Sequence, residues 1–206
     1  MHAVLTGMAA GYGIAIPIGA IAILIIDIGL RDGFATGFWA GAGAATADTL
    51  YAAIAVALGT LASEALAAFA VPLRFASGLA LMALGALGLL RARARAKASA
   101  PQAASARELA VYGQFLGLTL LNPMTVVYFV ALILGGAAGS ETSSLARLLF
   151  VFGAGVASLS WQTLLAASAA VFHRRLSLRS QVSLSVAGNL LVCAFGLNIL
   201  AQPLAL

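Results

Sequence analysis

Six long stretches of almost uninterrupted apolar residues dominate this chain, roughly Ala3–Leu30, Phe34–Ala62, Leu73–Leu90, Leu109–Ala137, Leu145–Phe172 and Val182–Gln202. A helix needs about 20 apolar residues to cross a bilayer, whereas a barrel strand takes about ten of alternating polarity, so run length predicts helices. Hydrophobic residues are 63% of the 206 and charged residues 8%, against about 45–50% and 25% in soluble domains. A soluble body of this size has too little interior to hide that much apolar surface. The expected class is an all-α integral membrane protein with six transmembrane helices in a single domain over 1–206. Met1 to Gly7 carries no Lys or Arg, and the first stretch outruns a signal-peptide core.

The charges orient the bundle. Arg91, Arg93, Arg95, Lys97 and Arg107 fall between the third and fourth stretches, Arg174, Arg175 and Arg179 between the fifth and sixth, and Arg31 between the first two. Nine of the 11 basic residues thus share one side. The positive-inside rule makes that side cytoplasmic, with both termini outside. The net charge of +5 is read as this topology signal and not as a nucleic-acid surface. The segment 91–107, filled with Ala, Ser, Pro and Gln, is expected to be a flexible cytoplasmic connection, and the second basic loop covers 173–179. A lone Cys193 excludes a disulfide framework or a two-cysteine redox centre within the chain. Neither a phosphate-binding loop nor a nucleophile triad nor a zinc-protease pattern is present, so no enzyme, cofactor or metal is expected.

Two halves resemble each other in order. At an offset of 112, Gly41 and Gly43 meet Gly153 and Gly155, Thr46 meets Ser158, and Asp48 meets Ser160. The first and fourth stretches each hold a central proline, Pro17 and Pro123, while Gly78 and Gly188 correspond in the third and sixth. Three crossings reverse the chain's direction, so the pattern predicts a 3+3 inverted repeat, with repeat 1 over about 1–90, the basic loop over about 91–108 and repeat 2 over about 109–206. Many secondary transporters are organised this way, with their site near the midplane.

The odd residues share that level. Asp48 lies at the centre of the second stretch, Pro17 at the middle of the first, and Asn122-Pro123 at the middle of the fourth. A carboxyl at a helix centre costs about 2.5–3.5 kcal/mol on insertion scales, so it belongs inside the bundle or on a watery cavity. No Lys or Arg lies at comparable depth. Its helix face also carries Gly37, Gly41, Ala44, Tyr51 and Ala55, a narrow stripe that allows close approach. Each proline removes a backbone donor and breaks or kinks its helix, and a half-helix starting near Ile18 would turn its positive end towards the midplane, suiting a carboxylate. Asn122 can donate and accept beside the second break. Asp27, ten residues beyond Pro17 or about 15 Å along a helix, is expected near the interface as a solvated charge beside Arg31 and Asp32. Tyr51, Tyr128, Trp161, Gln114 and Gln162 line the cavity or fill the core. Gly7/Gly11, Gly37/Gly41 and Gly113/Gly117 are expected at internal helix contacts, a homo-oligomer face being the other use.

With those residues in view, the chain resembles the lysine exporter (LysE/RhtB-type) family of bacterial amino-acid exporters. The resemblance rests on Pro17-Ile18-Gly19, Gly29-Leu30-Arg31-Asp32-Gly33, the run GAGAATADTLY from Gly41 to Tyr51, and Asn122-Pro123. Two positions depart from the family pattern: Ala20 replaces a frequent second proline, and Met124 stands where Asn-Pro-Lys is common. The resemblance implies secondary active export of an amino acid or similar small metabolite, driven by protons, in a bacterial plasma membrane. Asp48, Pro17, Gly19, Asn122, Pro123, Tyr51, Gly41 and Ser160 are the expected substrate- or ion-binding positions. Asp48 would hold the substrate ammonium or exchange a proton. The alternative is export of a heavy metal or other cation on a related fold, which needs ligand clusters that this chain lacks apart from Asp48.

Overall fold

The computed structural model describes residues 2–17, 19–58, 70–95, 104–134, 143–175 and 177–201. These form eight helices: α1 (His2–Ala15), α2 (Ala20–Asp32), α3 (Phe34–Leu58), α4 (Ala70–Arg95), α5 (Ala104–Leu121), α6 (Pro123–Leu134), α7 (Ser144–Arg175) and α8 (Leu178–Ala201). α3, α4, α7 and α8 are each long and apolar enough to cross a membrane. The pairs α1/α2 and α5/α6 qualify only together, bent by 78° and 59° at their prolines, so the described helices make up to six spans. The first and fourth stretches are therefore broken, as Pro17 and Pro123 require, since neither nitrogen can return a hydrogen bond to the turn before it.

The basic connection is shorter than its composition suggests. Helix α4 continues through Arg95 and α5 begins at Ala104, leaving 96–103 outside the described residues. Alternating Arg and Ala are strong helix formers, and that propensity carries α4 past its apolar part. Most of the apolar piece Ala65–Val71 also lies outside the described residues, with α4 starting at Ala70 and taking in Pro72 near its N-terminal end.

Small residues bring the helices together. Any Cβ on Gly7 or Gly11 of α1 would collide with the main-chain carbonyls of Phe150 and Ala154 on α7. On α3, Gly43 meets the Tyr112 carbonyl of α5 in the same way, and Gly41 lies against Gln162 of α7. Gly113 and Gly117 differ: nothing stands within 4 Å of a Cβ at either, so this third glycine pair makes no internal helix contact among the described residues. Around the glycine seams pack Phe115, Phe129 and Phe150, all fully buried. Helix α3 lies at the centre, between α7 on one side and α5 on the other, and α4 pairs with α8.

Gly33 turns α2 into α3. Its φ of 86° and ψ of −175° belong to a region open essentially to glycine, and its N–H closes α2 on the Gly29 carbonyl at 3.1 Å. Space is not the constraint, because a Cβ there would meet nothing within 4 Å. Gly33→Ala is expected to cost about 1–3 kcal/mol, read as a lower melting temperature of the detergent-solubilised protein; an unchanged melting temperature would mean the turn relaxes freely.

Asp27 corrects one expectation. It is 3% exposed, not solvated. Arg31 Nε lies 3.1 Å from its Oδ2 as an ion pair, and Asn189 of α8 donates to the same oxygen at 3.1 Å. A straight-helix count of residues fails as a measure of depth once the chain bends by 78° at Pro17, and α8 closes over the carboxyl. The Asn189 Nδ2 also donates to the Ser185 carbonyl at 2.8 Å, so this cluster ties α2 to α8. Asp27→Ala removes the buried carboxyl that Arg31 and Asn189 share, at an expected cost of about 3–5 kcal/mol. Asp27→Asn keeps an acceptor for Asn189 but not the charge facing Arg31, so it should lose only somewhat less, and an unchanged melting temperature in Asp27→Ala would contradict the tie.

Candidate functional site

The breaks of the two bent spans border one cavity. It encloses about 340 Å³ and is bounded by the end of α1 (Gly13–Ala15), Pro17 and Gly19, the first turn of α2 (Ala20–Ala22), and Asn122 with Met124 at the second break. Asp48 enters from α3, Gln162 from α7 and Thr119 from α5. Sites of this kind run from about 300 to 1,000 Å³, so the volume suits a single small solute.

The break chemistry follows from the sequence. Pro17 has no N–H to offer the Gly13 carbonyl, so the partially negative end of α1 faces the cavity. Helix α2 restarts at Ala20 behind Gly19, which provides no side-chain cap, and the N–H groups of its first turn lack intrahelical acceptors. A negative and a positive backbone pole therefore open into the same space. The second break is finished differently. Asn122 Oδ1 accepts from the Met124 N–H at 3.1 Å and caps α6. The Asn122 N–H donates to the Thr119 carbonyl at 3.2 Å, and the Tyr51 hydroxyl donates to the Leu120 carbonyl at 2.6 Å. Carbonyls released in a membrane need such partners.

Asp48 is 3% exposed, and Ser158 of α7 donates to its Oδ2 at 2.6 Å. Its whole stripe of Gly37, Gly41, Ala44, Tyr51 and Ala55 is buried. Among the described residues, neither Lys nor Arg lines the cavity. Two further buried polar atoms there, Gln162 Oε1 and Thr119 Oγ1, have no hydrogen-bond partner among the described residues. An unpaired buried polar group costs about 1–3 kcal/mol, so these atoms mark where a polar ligand would be welcome.

Of the eight expected positions, Asp48, Pro17, Gly19 and Asn122 line the cavity, and α6 starts at Pro123. Tyr51 stacks on Phe129 at 5.6 Å and closes the second break. Gly41 makes room for Gln162. Ser160 is exposed and shares a 2.9 Å hydrogen bond with the Tyr12 hydroxyl, so it stands apart from Asp48. Among the other polar candidates, Gln162 and Tyr128 line the cavity, whereas Gln114 and Trp161 do not. Sequence reasoning names Ser158 only as the repeat counterpart of Thr46, not as a site residue, and does not name Thr119. The spacing could have found the former, because Ala154, Ser158 and Gln162 recur every four residues on one face of α7.

A family model described as LysE type translocator matches residues 13–202. The chain belongs to that family. No curated protein and no solved structure matches it. The matched region of this LysE type translocator contains both helix breaks, Asp48 and every residue of the cavity, so a membrane translocator's domain and the buried polar site are the same part of the molecule.

Proposed function

We propose that this translocator is a secondary active exporter of an amino acid or similar small metabolite, exchanged for protons across a bacterial plasma membrane. One observation carries the reading: among the described residues, an acid with no Lys or Arg beside it, a helix start without a side-chain cap and two unpartnered polar atoms converge on one cavity between two broken helices. The acid suits an ammonium group, and the first-turn amides of α2 suit a carboxylate. Asp48 then serves both cargoes. With substrate bound, the ammonium balances its charge; with substrate gone, a proton does. An empty, ionised carboxyl is the costly form in a membrane, so the carrier changes its facing only when loaded with one or the other, which makes the transport an exchange.

A 3+3 inverted repeat gives the two facings their geometry, and the packing supports it. Gly43 of α3 rests on the main chain of α5, as Gly153 of α7 rests on that of α1. The second span of each half thus receives the first half-helix of the other. These two glycines are 110 residues apart, as are Asp48 and Ser158, which favours a register of 110 over 112. The charge pattern supports termini outside and basic loops 91–107 and 173–179 in the cytoplasm.

The test is efflux from proteoliposomes loaded with a panel of amino acids. Faster efflux on imposing an inward proton gradient is the expected result. A panel in which no amino acid leaves faster than from empty-membrane controls would overturn the reading.

A further inference from the structure

The cavity's own inventory narrows the cargo. Its polar atoms are enough for the two ends of a zwitterion: Asp48 and Gln162 Oε1 are acceptors for an ammonium, while the first turn of α2 and the Thr119 hydroxyl are donors for a carboxylate. What remains is mainly carbon, with Asn122 and Tyr128 as further uncharged polar groups. Ala44, Leu81, Leu118, Phe195 and Ile199, from α3, α4, α5 and α8, form the continuing wall, with Met124 as a soft edge. The hydroxyl-bearing Ser77 and Thr125 add no charge.

We propose that this cavity takes α-amino acids with an uncharged, mainly apolar side chain and rejects those whose side chain is charged. The proposal rests on the export reading above. A side-chain ammonium would have to compete with the α-ammonium for the single carboxyl, or lie unbalanced against carbon. A side-chain carboxylate would find no cation among the described residues of the wall. Burying an uncompensated charge is far costlier than burying an apolar group of the same size. An apolar side chain, by contrast, replaces water against Leu81, Leu118 and Ile199 and gains contact area.

Leucine, lysine and glutamate efflux from proteoliposomes of the full chain, under the same proton gradient, tests this. Leucine is expected to leave at least tenfold faster than either charged amino acid. Lysine or glutamate leaving as fast as leucine would overturn the assignment and leave amino-acid export standing; no efflux of any of the three would overturn the assignment, and silence of the whole amino-acid panel would overturn both. A second arm uses Phe195→Ala, at a wall position that is 37% exposed and so tolerant of truncation. The enlarged wall should shift the phenylalanine-to-leucine rate ratio upwards about tenfold, the lower end of what a hydrophobic pocket can discriminate. An unchanged ratio, with leucine efflux retained, would place the side chain elsewhere and overturn the pocket.

Discussion

Asp48→Asn is expected to reduce proton-driven efflux by at least 100-fold while the protein still folds. The amide keeps the size of the carboxyl, and its oxygen can still accept the hydrogen bond that Ser158 now gives Oδ2 at 2.6 Å. The contact between α3 and α7 therefore survives. The charge does not, and on the proposed mechanism both the partner of a substrate ammonium and the site of the exchanged proton go with it. Removing one member of a buried charge pair costs about 3–5 kcal/mol, which is about two or more powers of ten in rate. Ser158→Ala removes only the orienting hydrogen bond, worth about 1–3 kcal/mol, and should slow efflux about tenfold. Native rates in Asp48→Asn, with coupling to the proton gradient intact, would remove this carboxyl from the mechanism.

Stability and transport are both expected to suffer where helices touch through glycine. In Gly11→Ala the new methyl group collides with the main-chain carbonyl of Ala154, so α1 has to move away from α7. Overpacking of this kind costs about 1–3 kcal/mol, and more where backbone must yield. The displacement also reaches the cavity, since Gly13–Ala15 at the end of α1 form part of its wall. Loss of both melting temperature and efflux is expected. Gly113→Ala is the contrasting case. Nothing lies within 4 Å of its Cβ position, and replacing a mid-helix glycine by alanine gains about 0.5–1 kcal/mol, so this variant should be as stable as the parent or slightly more so. Equal behaviour of the two variants would mean that the α1–α7 seam is not closely packed.

Membrane insertion made much of this legible from residues alone. A bilayer tolerates Asp48 only on an interior face, and every small residue sharing that face is buried. Pro17 and Pro123 announced their breaks because no other residue lacks the backbone donor. The misreadings have equally physical causes. Counting rise along a straight helix puts Asp27 at the interface, which a 78° bend invalidates, and its partner Asn189 comes from 162 residues away. Ser160 was aligned with Asp48, yet Ser158 touches it. Two residues are about 200° of helix rotation, so a slip of that size turns a side chain from the interior to the outside. The glycine pairs illustrate a different limit. Gly7/Gly11 and Gly113/Gly117 have the same spacing, and only the packing of other helices decides which pair is pressed against a neighbour.

The central claim, that the space between the two helix breaks is the solute chamber, is open to a direct measurement. Ala20 borders that space at the start of α2, and the chain's single cysteine, Cys193, can be replaced by serine to leave a silent background. In Ala20→Cys/Cys193→Ser, a small water-soluble methanethiosulfonate should modify Cys at position 20, and saturating leucine should slow that modification at least tenfold. A rate that leucine leaves unchanged, in protein that still exports it, would contradict the account.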